Sequence, residues 1–259
     1  MKSKEVIKYI VDWLRTYSDN SGTEGFVIGI SGGIDSAVTS VLCAMTGKRV
    51  ILLNMPIRQN KNEFDRGNEH IEKVTGQYKN AESRLVDLTP VLDSCEKTFP
   101  PDVQEFLVMA NTRARLRMTT LYAFATRYKL LVAGTGNKVE DFGVGFFTKY
   151  GDGGVDVSPI ADLFKTEVYE LAKELGIHKS IVAAKPTDGL FPDSRSDEDQ
   201  IGATYPELEW AMNYVHKNES QTLNARQKEV LEIFRSRHRA NRHKMIPIPV
   251  CSIPESIKN

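Results

Sequence analysis

Near the N-terminus the apolar residues Val6, Ile7, Ile10, Val11 and Leu14 recur at the spacing of one helix face, which predicts a helix from Ser3 to Tyr17 with Ser3 as its cap. The pattern then changes to short apolar runs at Phe26 to Ile30, Arg49 to Asn54, Ser83 to Asp87 and Leu130 to Gly134, separated by helix-compatible sequence. That alternation predicts a parallel α/β sheet with helices packed on it, whose ligands bind beyond the carboxyl ends of the strands. Three of those ends carry suggestive residues: Ser31 to Ser36, Asn54-Met55-Pro56, and Gly134-Thr135-Gly136-Asn137. A long helix is expected over Asp102 to Arg127, with Pro101 suited to its first turn; Arg113 and Arg117 share a face there and Arg115 points elsewhere. Gly143 to Asp156 is glycine-rich and reads as a loop that carries function. Helical patterning returns at Lys165 to Leu175, Asp197 to Gly202, Pro206 to His216 and Asn224 to His238, and a basic, then proline-rich tail follows. The stretch Lys185 to Asp199 reads as a mobile lid.

Composition narrows the class. At 259 residues and 41% hydrophobic content the chain can bury a substantial core, and one domain over 1–259 with appendages is expected. Lys plus Arg and Asp plus Glu are equal at 34 each, so the charge balance calls for neither nucleic acid nor an acidic membrane surface. No run approaches membrane-spanning length, and the N-terminus has no apolar signal core, so a cytoplasmic protein is expected. Cys43, Cys95 and Cys251 lie far apart and read as small apolar residues, without zinc-ligand spacing.

The densest chemistry lies in Gly29-Ile30-Ser31-Gly32-Gly33-Ile34-Asp35-Ser36, placed between an apolar run and a helix-compatible segment. Adjacent glycines let backbone N–H groups approach an anion, and the helix behind them presents its own unpaired N–H groups and positive dipole end. Ser31 and Ser36 add hydroxyls. Asp35 would repel a phosphate unless a divalent cation stood between them, which implies Mg²⁺ and a nucleoside triphosphate. The pattern is neither the GxxxxGK[ST] loop nor GxGxxG. A strand-to-helix turn with capping serines is the plainer alternative.

The SGGxDS string resembles the pyrophosphate loop of the ATP pyrophosphatases. Three more strings extend the likeness: Asn111 to Met118 (NTRARLRM), Gly134 to Glu140 (GTGNKVE) and Phe146 to Asp156 (FFTKYGDGGVD). With Lys165, Lys185-Pro186-Thr187 and His243-Lys244, the chain from Gly29 to Pro249 resembles the ammonia-dependent NAD synthetases. The resemblance implies an α/β fold of the adenine nucleotide alpha-hydrolase type, a Rossmann-like parallel sheet flanked by helices. It implies amidation of deamido-NAD⁺ with ammonia, driven by ATP through an acyl adenylate, with AMP and pyrophosphate released. It further implies that Gly29, Ile30, Ser31, Gly32, Gly33, Ile34, Asp35, Ser36, Thr135, Lys165 and Thr187 bind ATP. Asp35 and Glu140 hold Mg²⁺, and with Lys165 they form the catalytic set. Arg115, Lys149, Asp156, His243 and Lys244 contact the dinucleotide, in a homodimer without a glutaminase domain.

Plainer readings accompany these roles. Glu140 fits an exposed helix start, Lys149, Lys165 and Lys185 fit solvated surface lysines, and His243 fits a basic tail. His70, His178, His216 and His238 fit surface or capping roles, and no HExxH zinc spacing occurs. The family pattern is broken at Asp188-Gly189-Leu190 and at Met245, and the segment between Glu140 and Lys149 is one residue longer than in some relatives. Another amide-forming or thiolating pyrophosphate-loop enzyme and a catalytically silent nucleotide sensor are the competing functions. Both metal carboxylates are kept, which speaks against the sensor, and the scattered cysteines speak against thiolation.

Overall fold

The computed structural model describes residues 1–187, 196–217 and 222–258. In chain order the sheet layer consists of α1 (Ser3–Asn20), β1 (Gly25–Gly29), α2 (Ile34–Met45), β2 (Arg49–Asn54), α3 (Lys61–Gln77), β3 (Ala81–Leu85), α4 (Thr89–Thr98), α5 (Phe106–Tyr128) and β4 (Leu130–Val132). A π-helical turn (Val139–Val144) then leads to α6 (Lys165–Glu174), α7 (Lys179–Val182), α8 (Asp197–Ile201), α9 (Tyr205–Lys217) and α10 (Ala225–Met245). The expected lid falls mostly on 188–195, which lie outside the described residues, as does the departure at Asp188 to Leu190; Ser196 caps α8, its side chain accepting from Asp199 N–H.

The strands form one parallel sheet in the order β3-β2-β1-β4. Side chains alternate between its faces. Phe26, Ile28, Val50, Leu52 and Leu131 face a core shared with α1, α2, α3, α6 and α7, while Val27, Ile51, Leu53, Leu130 and Val132 face a second core shared with α4 and α5. Both faces are thus covered, as a parallel sheet requires. A third apolar cluster lies off the sheet, where Val139 and Val144 of the π-helical turn pack with Tyr205, Leu208, Ala211, Val230, Leu231 and Phe234 of α9 and α10.

Several boundaries differ from expectation, each for a local reason. The third strand begins two residues early, at Ala81 opposite Val50, because this edge strand exposes Ser83 and Arg84 and has no apolar run to mark it. Lys2, not Ser3, occupies the cap position of α1. The long arginine helix starts at Phe106: Pro101–Val103 forms a 3₁₀ turn, and Gln104 donates to the carbonyls of Glu96 and Phe99, closing α4 first. The basic tail is no tail, since α10 continues to Met245 and carries His243 and Lys244 on its last turn. No apolar periodicity runs through Arg239 to Lys244, so the sequence hid that extension.

The segment after Asn137 forms a π-helical turn, in which Gly145 N–H reaches the Glu140 carbonyl. This i→i+5 geometry is rare and recurs at functional sites.

His70 is buried at 1% exposure, not on the surface. Its Nε2 lies 2.8 Å from Ser40 Oγ, whose proton goes to the Ala37 carbonyl, so Nε2–H donates and Nδ1 has no partner. Burial, aided by Lys73, pulls the imidazole down to about 4. A group depressed in the fold leaves stability intact above its unfolded value and removes it as protons bind to the unfolded chain. Urea titrations should show stability falling by about 2 kcal/mol between pH 7.5 and pH 5 from this group alone, and His70→Gln should flatten that part of the profile.

Candidate active site

Strand order reverses between β1 and β4, and the loops beyond their carboxyl ends meet there. The loop after β1 turns through Gly32, at φ +83°, into the start of α2. A Cβ at Gly32 would come within 2.5 Å of the Glu63 carbonyl oxygen, so only glycine lets the loop lie this close to α3. Ser36 is buried and its hydroxyl donates to the Gly33 carbonyl at 3.0 Å, while Ser31 Oγ accepts from Gly33 N–H at 3.2 Å. Ser31 and Ser36 also meet each other, at 3.1 Å. These serines shape the loop, leaving the N–H groups at the start of α2 as its anion-facing donors.

Asp35, the second residue of α2, meets Lys165 and Glu140 in one cluster. Lys165 Nζ lies 2.5 Å from Asp35 Oδ2 and 3.1 Å from Glu140 Oε1, and the lysine is only 2% exposed. It is therefore no solvated surface lysine. Burial alone would pull the ammonium down, yet Asp35 and Glu140 outweigh it and hold the lysine protonated. Burial pushes the Asp35 carboxyl up, and Lys165 offsets part of that. Asn137, fully buried after β4, donates to Asp35 Oδ1 at 3.3 Å and accepts from the N–H groups of Val139 and Glu140. This one amide ties the first loop to the third and starts the π-helical turn. Glu140 is thereby aimed inward, not exposed at a helix start.

Two carboxylates already share a cation here, in the form of an ammonium, so their oxygens suit a hard divalent ion. Among the described residues no three potential ligand side chains come together as a metal cage.

A second cluster lies where α5, the glycine-rich loop and the end of α10 meet. Arg115 Nε and Nη2 each approach the Lys149 carbonyl at 3.4 Å, and Lys149 Nζ donates to the His243 carbonyl at 2.9 Å. Lys244 donates to the carbonyls of Gly145 and Phe147 and lies over the Phe147 ring. Arg115 is separated from Arg117 as expected, for Arg117 Nε donates to the Met55 carbonyl at 3.1 Å. Asp156 is engaged in the fold: Oδ2 accepts from Val132 N–H at 2.8 Å and Oδ1 from the Tyr122 hydroxyl at 3.0 Å. Thr135 lies three residues beyond the end of β4, and Thr187 ends the described stretch before 188.

Sequence reasoning missed several residues at this site. Tyr205 donates to Glu140 Oε1 at 2.5 Å and its ring lies 4.8 Å from Lys165 Nζ. Asp141 packs where a Cβ on Gly136 would sit, and burial, with Glu140, Asp152 and Asp35 nearby, pushes its carboxyl up to about 8. Gln59 Nε2 reaches the Ser31 carbonyl at 3.3 Å. The Asn137 position belonged to a noticed string, but Tyr205 fell just before the helical pattern read over Pro206 to His216 and carried no polar cue.

The family model for NAD synthase matches residues 6–247. The chain belongs to the NAD synthase family. Over 245 residues it is 37% identical to an NH(3)-dependent NAD(+) synthetase of Methanococcoides burtonii, covering 91% of this chain and 90% of that one. Among solved structures it is similar to NMN synthetase of Francisella tularensis, with TM-score 0.82 and 32% identity over 98% of this chain and 99% of the other. The NH3-dependent NAD synthetase of Campylobacter jejuni, crystallised with nitrate, gives 0.80 and 26% over 97% and 100%. Other NAD synthase-family structures therefore share this sheet, and the expected α/β fold holds.

In this NAD synthase-family chain, Lys165→Met would leave Asp35 and Glu140 facing each other without a cation. Urea unfolding at pH 7 should show a loss of about 3–5 kcal/mol. The loss should shrink as pH falls and the carboxylates take up protons, and the added change Asp35→Asn should recover part of it.

Proposed function

We infer that this chain is an ammonia-dependent NAD⁺ synthetase, making NAD⁺ from deamido-NAD⁺, ATP and ammonia. Membership of the family over nearly the whole chain carries the reading. The chemistry needs activation, because a carboxylate has no acceptable leaving group. Its oxygen attacks the α-phosphate of ATP, pyrophosphate departs, and the resulting acyl adenylate accepts ammonia with AMP leaving.

The placement of the residues supports the following roles. The backbone N–H groups at the start of α2, within the ATP-binding run Gly29 to Ser36, face the phosphates, and Thr135 and Thr187 complete the nucleotide contacts. Lys165 is a buried point charge within reach of phosphate oxygens, stabilising charge that builds as pyrophosphate leaves. Asp35 and Glu140 are the residues that would hold Mg²⁺; the chemistry supplied when it is bound is neutralisation of phosphate charge. Arg115, Lys149, His243 and Lys244 form the basic wall for the dinucleotide, with Asp156 anchoring the loop that carries Lys149. Ammonia attack needs a positioned carbonyl and excluded water more than a further catalytic group.

A homodimer accounts for the exposed apolar surface of α5. Only Met109, Ala110 and Ala125 of this helix are buried, whereas Phe106, Leu107 and Val108 are exposed on its first turn, about two turns before Arg115. A second copy covering that face would adjoin the basic wall. Nothing in the neutral charge balance calls for nucleic acid, and no described helix is long and apolar enough to cross a membrane.

Incubation with ATP, Mg²⁺, ammonium and deamido-NAD⁺ should yield NAD⁺, AMP and pyrophosphate in equal amounts. Because the Francisella relative is an NMN synthetase, a parallel reaction should offer nicotinic acid mononucleotide; higher kcat/KM on that substrate would replace the dinucleotide reading. No amide from either would overturn the synthetase. For the dimer, sedimentation of Leu107→Glu should show a shift to monomer with activity reduced at least tenfold, and an unchanged dimer would move the interface elsewhere.

A further inference from the structure

Tyr205 belongs to the third apolar cluster and also reaches the Asp35–Lys165–Glu140 group through its side chain. It opens α9, is 3% exposed, and packs among Val139, Ile201 and Leu208. Its hydroxyl donates to Glu140 Oε1 at 2.5 Å and lies 3.3 Å from Asp197 Oδ2 on α8. The phenol has one proton, and the shorter contact takes it. Its N–H is fixed as well, donating to Glu198 at 2.8 Å. Both ends of this tyrosine are thus tied down, and its ring supports the Lys165 ammonium at 4.8 Å.

Glu140 Oε1 has two donors, Lys165 and Tyr205. When Lys165 turns to phosphate, only the tyrosine continues to hold that oxygen. A carboxylate that ligates a cation binds best when its outer oxygen is already hydrogen-bonded, since orientation is then set before the ion arrives. We propose that Tyr205 is a positioning residue for adenylation, holding Glu140 in the geometry that binds the divalent cation and linking α8 and α9 to that site. The inference rests on the synthetase reading.

Tyr205→Phe removes the hydroxyl and keeps the ring in its apolar seat. The probe is Mn²⁺, titrated by electron paramagnetic resonance in the presence of α,β-methylene-ATP. The dissociation constant for Mn²⁺ should rise about tenfold, and kcat should fall about 10–100-fold while KM for deamido-NAD⁺ stays within twofold. Tyr214→Phe, on the same helix and away from the site, should change neither. Introduced into Glu140→Gln, Tyr205→Phe should have no further effect on Mn²⁺ binding, because the tyrosine acts through that carboxylate. Unchanged Mn²⁺ affinity in Tyr205→Phe, or an equal further loss in the Glu140→Gln background, overturns the proposal. Wild-type protein that makes no NAD⁺ overturns the synthetase reading separately, and the Mn²⁺ titration still decides the role of Tyr205.

Discussion

A single ammonium set between two partly buried carboxylates fixes the geometry of the site. Lys165 opens α6, Asp35 lies in the first turn of α2, and Glu140 belongs to the π-helical turn, so their meeting registers three separate parts of the chain. At an effective dielectric of about 20, attractions at such close range are worth on the order of 4 kcal/mol each or somewhat more. Desolvation consumes much of that gain. The pair therefore adds little net stability while strongly disfavouring any arrangement in which one partner is missing. It determines which structure forms more than how stable that structure is.

The sheet explains why these segments meet. The first crossover places β2 on one side of β1 and the later return places β4 on the other, so the loops after β1 and β4 leave in opposite directions and open a crevice. Asn137 spans that crevice from Asp35 to the N–H groups of Val139 and Glu140. Backbone orientation on one side thus becomes coupled to carboxylate orientation on the other. The π-helical turn extends the coupling to the third apolar cluster, which contains Val139 and Val144 on the same turn that presents Glu140.

The sheet and the phosphate loop were legible because their signals are local: apolar runs bounded by turns, and glycines at fixed spacing. Lys165 was legible only through its family string, since nothing around Phe164 to Glu167 marks a lysine for burial. The edge strand was misplaced because Ser83, Arg84 and Leu85 in succession are exposed, leaving no alternation to set its ends. Tyr205 and Asn137 were missed as functional groups for another reason. Their roles depend on partners far along the chain, Asp35 for Asn137 and Glu140 for Tyr205, and pairing across such distances leaves no periodic trace. His243 and Lys244 were noticed, but their place on a helix was hidden by a polar run whose helicity rests on propensity and context.

The placement of Lys165 runs against local helix energetics. A cation in the first turn of α6 opposes the helix dipole, and that end is satisfied by Glu167, whose carboxylate accepts from Phe164 N–H at 2.8 Å. Burial adds a desolvation cost, and the neighbouring Asp141 and Asp35 carboxyls are pushed up by it as well. A fold selected for stability alone would place an apolar side chain there. The arrangement makes sense for a site that must accept a highly charged nucleotide: charges already stripped of water and held by fixed donors need little reorganisation when phosphate arrives. Binding energy from ATP then offsets this desolvation cost, so the locally least favourable feature of the site is the one that prepares it for chemistry.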